Sequence, residues 1–215
     1  MNQKTKKLTV IAMLCAISYV VMLVGRIPMV MFLKYDPKDI IITIGGFMLG
    51  PWVAAVISVI VSLVEMATVS GTGFYGLLMN IVSTCSFACA ASLIYHKKRT
   101  LTGAVIGLVL ACFVMTGVML LWNYYITPLY LQMPQSAVAA MLVPVFLPFN
   151  LIKGALNAAG TMLFYKPIIT GLRQAKLLPT PDNYNQEKRK RISIGTAVAS
   201  VFVIICLVMI CFLIW

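Results

Sequence analysis

The sequence predicts an all-α integral membrane protein, and three observations carry that prediction. The 215 residues are 61% hydrophobic and only 10% charged, with a mean hydropathy of +0.99. A soluble core of this size has no use for so much apolar surface. Several apolar runs, broken by proline, glycine or clustered charge, approach or exceed the ~20 residues that cross a bilayer as helix, the last of them at the C-terminal end. The basic residues bunch beside the ends of these runs, where cytoplasmic loops carry them.

The elements follow in order. The first span covers residues 8–24, preceded by Lys4, Lys6 and Lys7. "GRIPMVMFLKYDPKD" is a polar, proline-marked connection with a loop-like centre at 35–37. A short second span, 40–49, stops at Gly50 and Pro51, two helix breakers in succession. The third is 52–68. "SGTGFYG" is a glycine-rich turn, and the fourth span, 77–95, closes on "HKKRT". The fifth is 101–123, followed by "NYYITPLYLQMPQS", an aromatic and proline-marked loop of interfacial type. The sixth is 143–165. Residues 1–175 thus form one membrane unit of six helices, 176–193 a basic cytoplasmic linker, and 194–215 an extra C-terminal transmembrane helix. The Ile, Val and Cys-rich face of that last run carries no polar group, and the run reads as an anchor or packing helix. No cleaved signal peptide is expected, because "NQKTKK" leads directly into a full span with no A-x-A-like site behind it.

The net charge of +12 would suggest nucleic acid only if its distribution were ignored. Alternation from a cytoplasmic N-terminus puts 4–7, 97–99 and 166–191 on one side, with thirteen of the seventeen Lys and Arg residues. Arg26, Lys34 and Lys38 fall in the outer connections, and Lys153 is embedded. The clusters therefore report topology and contact with anionic headgroups, and no nucleic-acid partner is expected. Cys15, Cys85, Cys89, Cys112, Cys206 and Cys211 all lie in apolar segments without CxxC spacing, so they read as packing residues rather than a disulfide framework or a metal site. The single histidine, His96, stands at a span end beside Lys97, a solvated interfacial position. With no second histidine, no paired carboxylates and no Walker A sequence, no catalytic constellation can be assembled, and the chain is not expected to be an enzyme.

The chemistry is concentrated in "VPVFLPFNLIKGALNAAGTMLF", residues 143–164. Asn150, Lys153 and Asn157 recur at i, i+3 and i+7, one helical face, with Gly154 and Ala158 beside it. Asn80, Asn123 and Glu65 lie at the outer ends of their own spans, at matching depth. A set so placed converges on a pocket open to the outer side. The alternatives are that Lys153 snorkels to the interface, that the asparagines cross-link helices, or that a Glu65–Lys153 pair neutralises itself. As a pocket, the set supplies amides, one ammonium, and phenols from Tyr35, Tyr124 and Tyr125. Phe32, Trp122, Phe149 and several methionines supply walls. One basic group with little surplus charge favours a flat, largely uncharged heterocycle over an ion, a phosphate or an amino acid. The acid and histidine relay of a proton-driven carrier is missing.

"FLKYDPKDI", "GGFMLGPW", "SGTGFYGLLMN", "NYYITPLY" and "PFNLIKGALN" resemble, in order and over about residues 8–175, the riboflavin-specific substrate-binding S component of energy-coupling factor (ECF) transporters. The resemblance implies a six-helix S-component bundle with the vitamin near the outer face, beneath the loop joining spans one and two. It implies docking on a module of one transmembrane coupling protein and two ABC ATPases, which supply the energy while the S component topples to deliver its substrate. The AxxxA docking signature is matched by Ala12 and Ala16; two alanines one turn apart leave a smooth stripe for a partner helix. By the same resemblance Asn123, Asn150 and Lys153 read the edge of the flavin ring. The ribityl hydroxyls reach groups around Tyr35, Asp36, Asp39 and Thr43. Asn80 and Tyr124 complete the expected binding set. Riboflavin enters as transported ligand, and no resident cofactor or metal is expected. Two competing readings keep the membrane fold: an S component for another vitamin or precursor, and a self-sufficient secondary carrier. The seventh apolar run departs from the family pattern, which ends after the sixth helix.

Overall fold

The computed structural model describes residues 3–31, 33–175 and 177. The expected seventh helix at 194–215 and, Leu177 apart, the linker at 176–193 lie outside the described residues, as does Phe32. The first helix, α1 (Gln3–Gly25), buries Val10, Leu14, Ser18 and Met22. These four stand at steps of four, so a single ridge faces inward, while Leu8, Val20 and Val24 are exposed to a surrounding that must be lipid.

The connection expected to be a loop is instead a two-stranded antiparallel hairpin, β1 (Ile27–Val30) and β2 (Leu33–Tyr35). Ile27 stands opposite Tyr35 and Pro28 opposite Lys34, with an irregularity between Pro28 and Val30. The chain reverses through Met31 in the left-handed region, φ 51°. Alternation explains the ribbon: Leu33 and Tyr35 point in and are buried, whereas Lys34 points out. The described chain is thus all-α except for this hairpin.

Helix α2 (Lys38–Leu49) is buried at every residue from Lys38 to Phe47. Twelve residues of helix reach only ~18 Å, short of the ~30 Å hydrocarbon core. It sits among α1, α3 (Pro51–Thr68), α4 (Gly73–Lys98) and α7 (Leu147–Gln174) as the central post of the bundle. Close approach requires Gly46, where an added Cβ would lie 2.1 Å from Ser92 Oγ and 3.0 Å from Ala54 Cβ. Gly50, at φ 106°, makes the turn into α3, which Pro51 opens. At this same end His96 is half-buried rather than solvated. Its Nε2 lies 3.1 Å from the Gly46 carbonyl oxygen, because α4 runs against the end of α2.

Helix α5 (Leu101–Leu131) begins under Thr100, whose Oγ1 accepts from Gly103 N–H at 3.0 Å. It runs past the expected end at 123, through Pro128. Within a bundle, neighbours and side chains can satisfy what a proline frees, and the Tyr75 and Tyr130 rings meet at 6.1 Å across the extension. The last path is also longer than the expected 143–165. A short helix α6 (Gln135–Met141) passes through a π turn (Leu142–Phe146) into α7. Pro144 lies at the centre of this turn and Pro148 just beyond it, in the first turn of α7. Each lacks the N–H of a regular helix, and a wider turn is where such a ladder breaks.

Among the described residues, five helical paths are long and apolar enough to cross a membrane: α1, α3, α4, α5, and Gln135–Leu172 through α6 and α7. With the buried α2 they make the expected six-helix bundle of a multi-pass membrane protein. Cys15, Cys85, Cys89 and Cys112 are half-buried, free thiols among the packed helices.

Candidate functional site

The polar residues gather at one end of the bundle, under the hairpin. Arg26, just past α1, donates through Nε to Asp36 Oδ1 at 2.6 Å and through its terminal nitrogen to Glu65 Oε1. Lys38, 1% exposed, donates to Glu65 Oε2 and lies 3.8 Å from Asp36 Oδ2. Asn80 donates to Glu65 Oε2 at 3.0 Å. Deeper in, Lys153 Nζ donates to Ser83 Oγ at 2.9 Å and lies 3.3 Å from Asp39 Oδ2. The same carboxylate accepts from Thr84 at 2.6 Å and from Asn157 at 3.2 Å. Three cations thus meet three carboxylates, which are all the acids of residues 1–175. The Arg26 pKa lies above its ordinary value: burial works against the charge, but hydrogen bonds and attraction from Asp36 and Glu65 outweigh it.

This changes two expectations. Glu65 and Lys153 do not pair with each other; each takes a partner from the start of α2 or its approach, because the buried α2 stands between them. The pocket also holds more than one basic group, though its acids balance them.

Beside the network lies a cleft enclosing about 640 Å³ of empty space, its mouth included. The hairpin contributes Leu33 and Lys34, and the Ser70–Gly71–Thr72 turn forms the opposite lip. Met79, Met119 and Phe149 make the apolar walls. Three amides reach the cleft from three helices: Asn80, Asn123 and Asn150. Asn123 Nδ2 donates to the Met119 carbonyl at 2.7 Å, and its Oδ1 accepts from Thr127 at 2.8 Å. Asn150 Nδ2 donates to the Phe146 carbonyl at 2.8 Å, at the junction of the π turn and α7. Its Oδ1 has no partner among the described residues, although the residue is 1% exposed. A buried acceptor left open in this way costs about 1–3 kcal/mol.

Of the expected binding residues, Asp36, Asn80, Asn123, Asn150 and Lys153 line the cleft. Tyr35 is buried within the hairpin and is not on the wall. Thr43 is buried in α2, its hydroxyl donating to the Asp39 carbonyl at 2.7 Å. Tyr124 is half-buried, edge-on to Tyr125 at 4.9 Å, away from the cleft. Trp122 lines a smaller neighbouring groove with Tyr75 and Tyr130. Ala12 and Ala16 are exposed on the outer face of α1. Arg26, Ser83 and the Ser70–Thr72 turn were missed as lining residues. Arg26 looked like one more loop cation, and serines on an apolar helix are too common to stand out.

A bundle of membrane-spanning helices around a cleft with apolar walls and a polar floor is the architecture of a membrane protein that binds a small molecule. The matches narrow the class. The family model described as "ECF transporter, substrate-specific component" matches residues 6–165, so the chain belongs to that family. It is 29% identical over 180 residues to the riboflavin transporter RibU of Staphylococcus aureus (strain TCH60), covering 80% of this chain and 95% of that protein. It is 28% identical over 178 residues to the riboflavin transporter FmnP of Bacillus subtilis (strain 168), covering 76% of this chain and 92% of the other. Among solved structures it resembles an S component of a bacterial ECF transporter, with a TM-score of 0.67 and 27% identity over 79% of this chain and 99% of that one.

Proposed function

We propose that this chain is the riboflavin-binding subunit of an ECF transporter, capturing the vitamin outside the cell for uptake. The observation that carries the reading is the cleft floor, where an open buried acceptor, Asn150 Oδ1, stands among two further amides and the Lys153 ammonium. The pyrimidine edge of a flavin presents an imide N–H between two carbonyl oxygens. Asn150 Oδ1 would take that N–H, and Lys153 and the remaining amide hydrogens would donate to the flanking carbonyls. Met79, Met119 and Phe149 would cover the ring faces. The near balance of charge around the cleft suits an uncharged ring system. Two relatives named as riboflavin transporters support the same ligand. Riboflavin is then cargo, and the chain performs no chemistry on it.

Uptake needs energy that this chain has no means to supply. The family assignment supports a partnership with a coupling protein and two ABC ATPases, and the exposed Ala12 and Ala16 offer a flat stripe on α1 where a partner helix would lie. In this reading the N-terminus is cytoplasmic, residues 1–175 are the binding unit, and 176–193 lead to a C-terminal anchor at 194–215. The test is direct. The purified protein should show a flavin band in its visible spectrum, or quench added riboflavin saturably. A colourless protein that ignores riboflavin but binds another vitamin would move the reading to a different S component.

A further inference from the structure

We infer that Asp39 is a positioning residue for ligand binding: it holds the Lys153 ammonium at the cleft, although Asp39 is not itself on the cleft wall. This rests on the riboflavin-binding reading of the cleft given above.

Asp39 is 0% exposed and sits in the first turn of α2. An acid there ordinarily faces the positive end of its own helix, whose N-cap, Pro37, offers no side-chain hydrogen bond. The carboxylate instead crosses to two other helices. Oδ1 accepts from Thr84 of α4, and Oδ2 accepts from Asn157 of α7 while facing Lys153 Nζ at 3.3 Å. Thr84 and Asn157 therefore fix where the negative charge stands, and the charge fixes Lys153.

Lys153 needs such a holder. Its stem is flexible, the residue is buried at 6% exposure, and a bare ammonium at membrane depth is costly without a partner. An ammonium has three hydrogens. One goes to Ser83 and another faces Asp39, leaving at least one for an occupant of the cleft. The other two embedded acids serve elsewhere: Asp36 and Glu65 are bound to Arg26 and Lys38. Asp39 is the one carboxylate within ion-pair reach of Lys153 among the described residues.

The test is a double-mutant cycle in the full chain, reading riboflavin Kd by flavin fluorescence quenching and the visible spectrum of the bound flavin. Lys153→Met should raise Kd about tenfold or more, and Asp39→Asn likewise, because each removes a charge-assisted contact or its support. The double variant should match Lys153→Met to within about twofold, since Asp39 has nothing left to position. Bound flavin in Asp39→Asn should show the band shift seen in Lys153→Met, and Asp39→Glu should recover part of the affinity. A further tenfold loss in the double variant, or wild-type affinity in Asp39→Asn, overturns the inference. If Asp39→Asn does not fold, Lys153→Met against the double variant still decides, because the double leaves neither charge unpaired. Wild-type affinity in Lys153→Met is the distinct failure: it removes Lys153 from the binding site, and the role of Asp39 with it.

Discussion

Asn150 shows what single residues contribute and how they are read. An asparagine in an apolar helix stands out in the sequence, and so do Asn80, Asn123 and Lys153, which is why their convergence was legible. What each side chain bonds was not legible, because helical spacing places residues on their own face and says nothing of the facing helix. Asn150 turns out to spend its Nδ2 on the Phe146 carbonyl and to keep Oδ1 open. Asn150→Ala should therefore raise the riboflavin Kd about tenfold with little loss of stability, measured by titration and thermal unfolding in detergent. Glu65 is a different case. It holds Arg26, Lys38 and Asn80 at once. Glu65→Gln should destabilise the fold by about 3–5 kcal/mol by leaving the buried Lys38 only its longer contact with Asp36, at 3.8 Å. Adding Lys38→Met should restore much of that stability, a pattern that thermal unfolding of the two variants would reveal.

At the scale of elements, the apolar runs were found by composition, but their ends were misread where proline stood. Pro128 did not stop α5, and Pro144 with Pro148 did not stop the last helical path; they turned it through a π segment that sets Asn150 and Lys153 on the cleft. In water proline ends helices; in a bundle, packed neighbours can hold the chain in register. The hairpin was missed because two strands of four and three residues give too short an alternation to read. Two glycines seat α7, Gly160 against Ile40 of α2 and Gly154 against α5. A Cβ at Gly154 would lie 2.4 Å from Cys112 Sγ and 3.1 Å from its Cβ. Gly154→Ala should push α7 away from α5, cost about 1–3 kcal/mol and weaken riboflavin binding. Cys112→Ala in the same chain should recover part of both losses, as a thermal scan and titration would record.

The whole molecule is a bundle whose centre is polar at one end and apolar at the other. In the topology proposed from the basic clusters, that polar end faces outward. A cysteine at Lys34, exposed at the cleft mouth, should react with an impermeant maleimide on intact cells, whereas one at Lys7 should not; the reverse pattern would invert the topology. Reconstituted alone, the chain should bind riboflavin but not accumulate it in vesicles. Accumulation should appear only with the coupling protein, its ATPases and ATP, and uptake by the chain alone would make it a secondary carrier.

Composition and the spacing of polar residues determined by themselves that the chain crosses a membrane several times and which embedded amides and lysine come together. Those conclusions depend on hydropathy and on period, both of which are local. The tertiary structure alone decided that Lys153 pairs with Asp39, that Glu65 takes Arg26 and Lys38, and that a hairpin covers the site. It also decided that Tyr35, Thr43 and Tyr124 stand off the cleft. These are choices among partners far apart in the chain. They are made by the short buried α2, which brings Lys38 and Asp39 into the middle of the bundle, where buried charges must find one another.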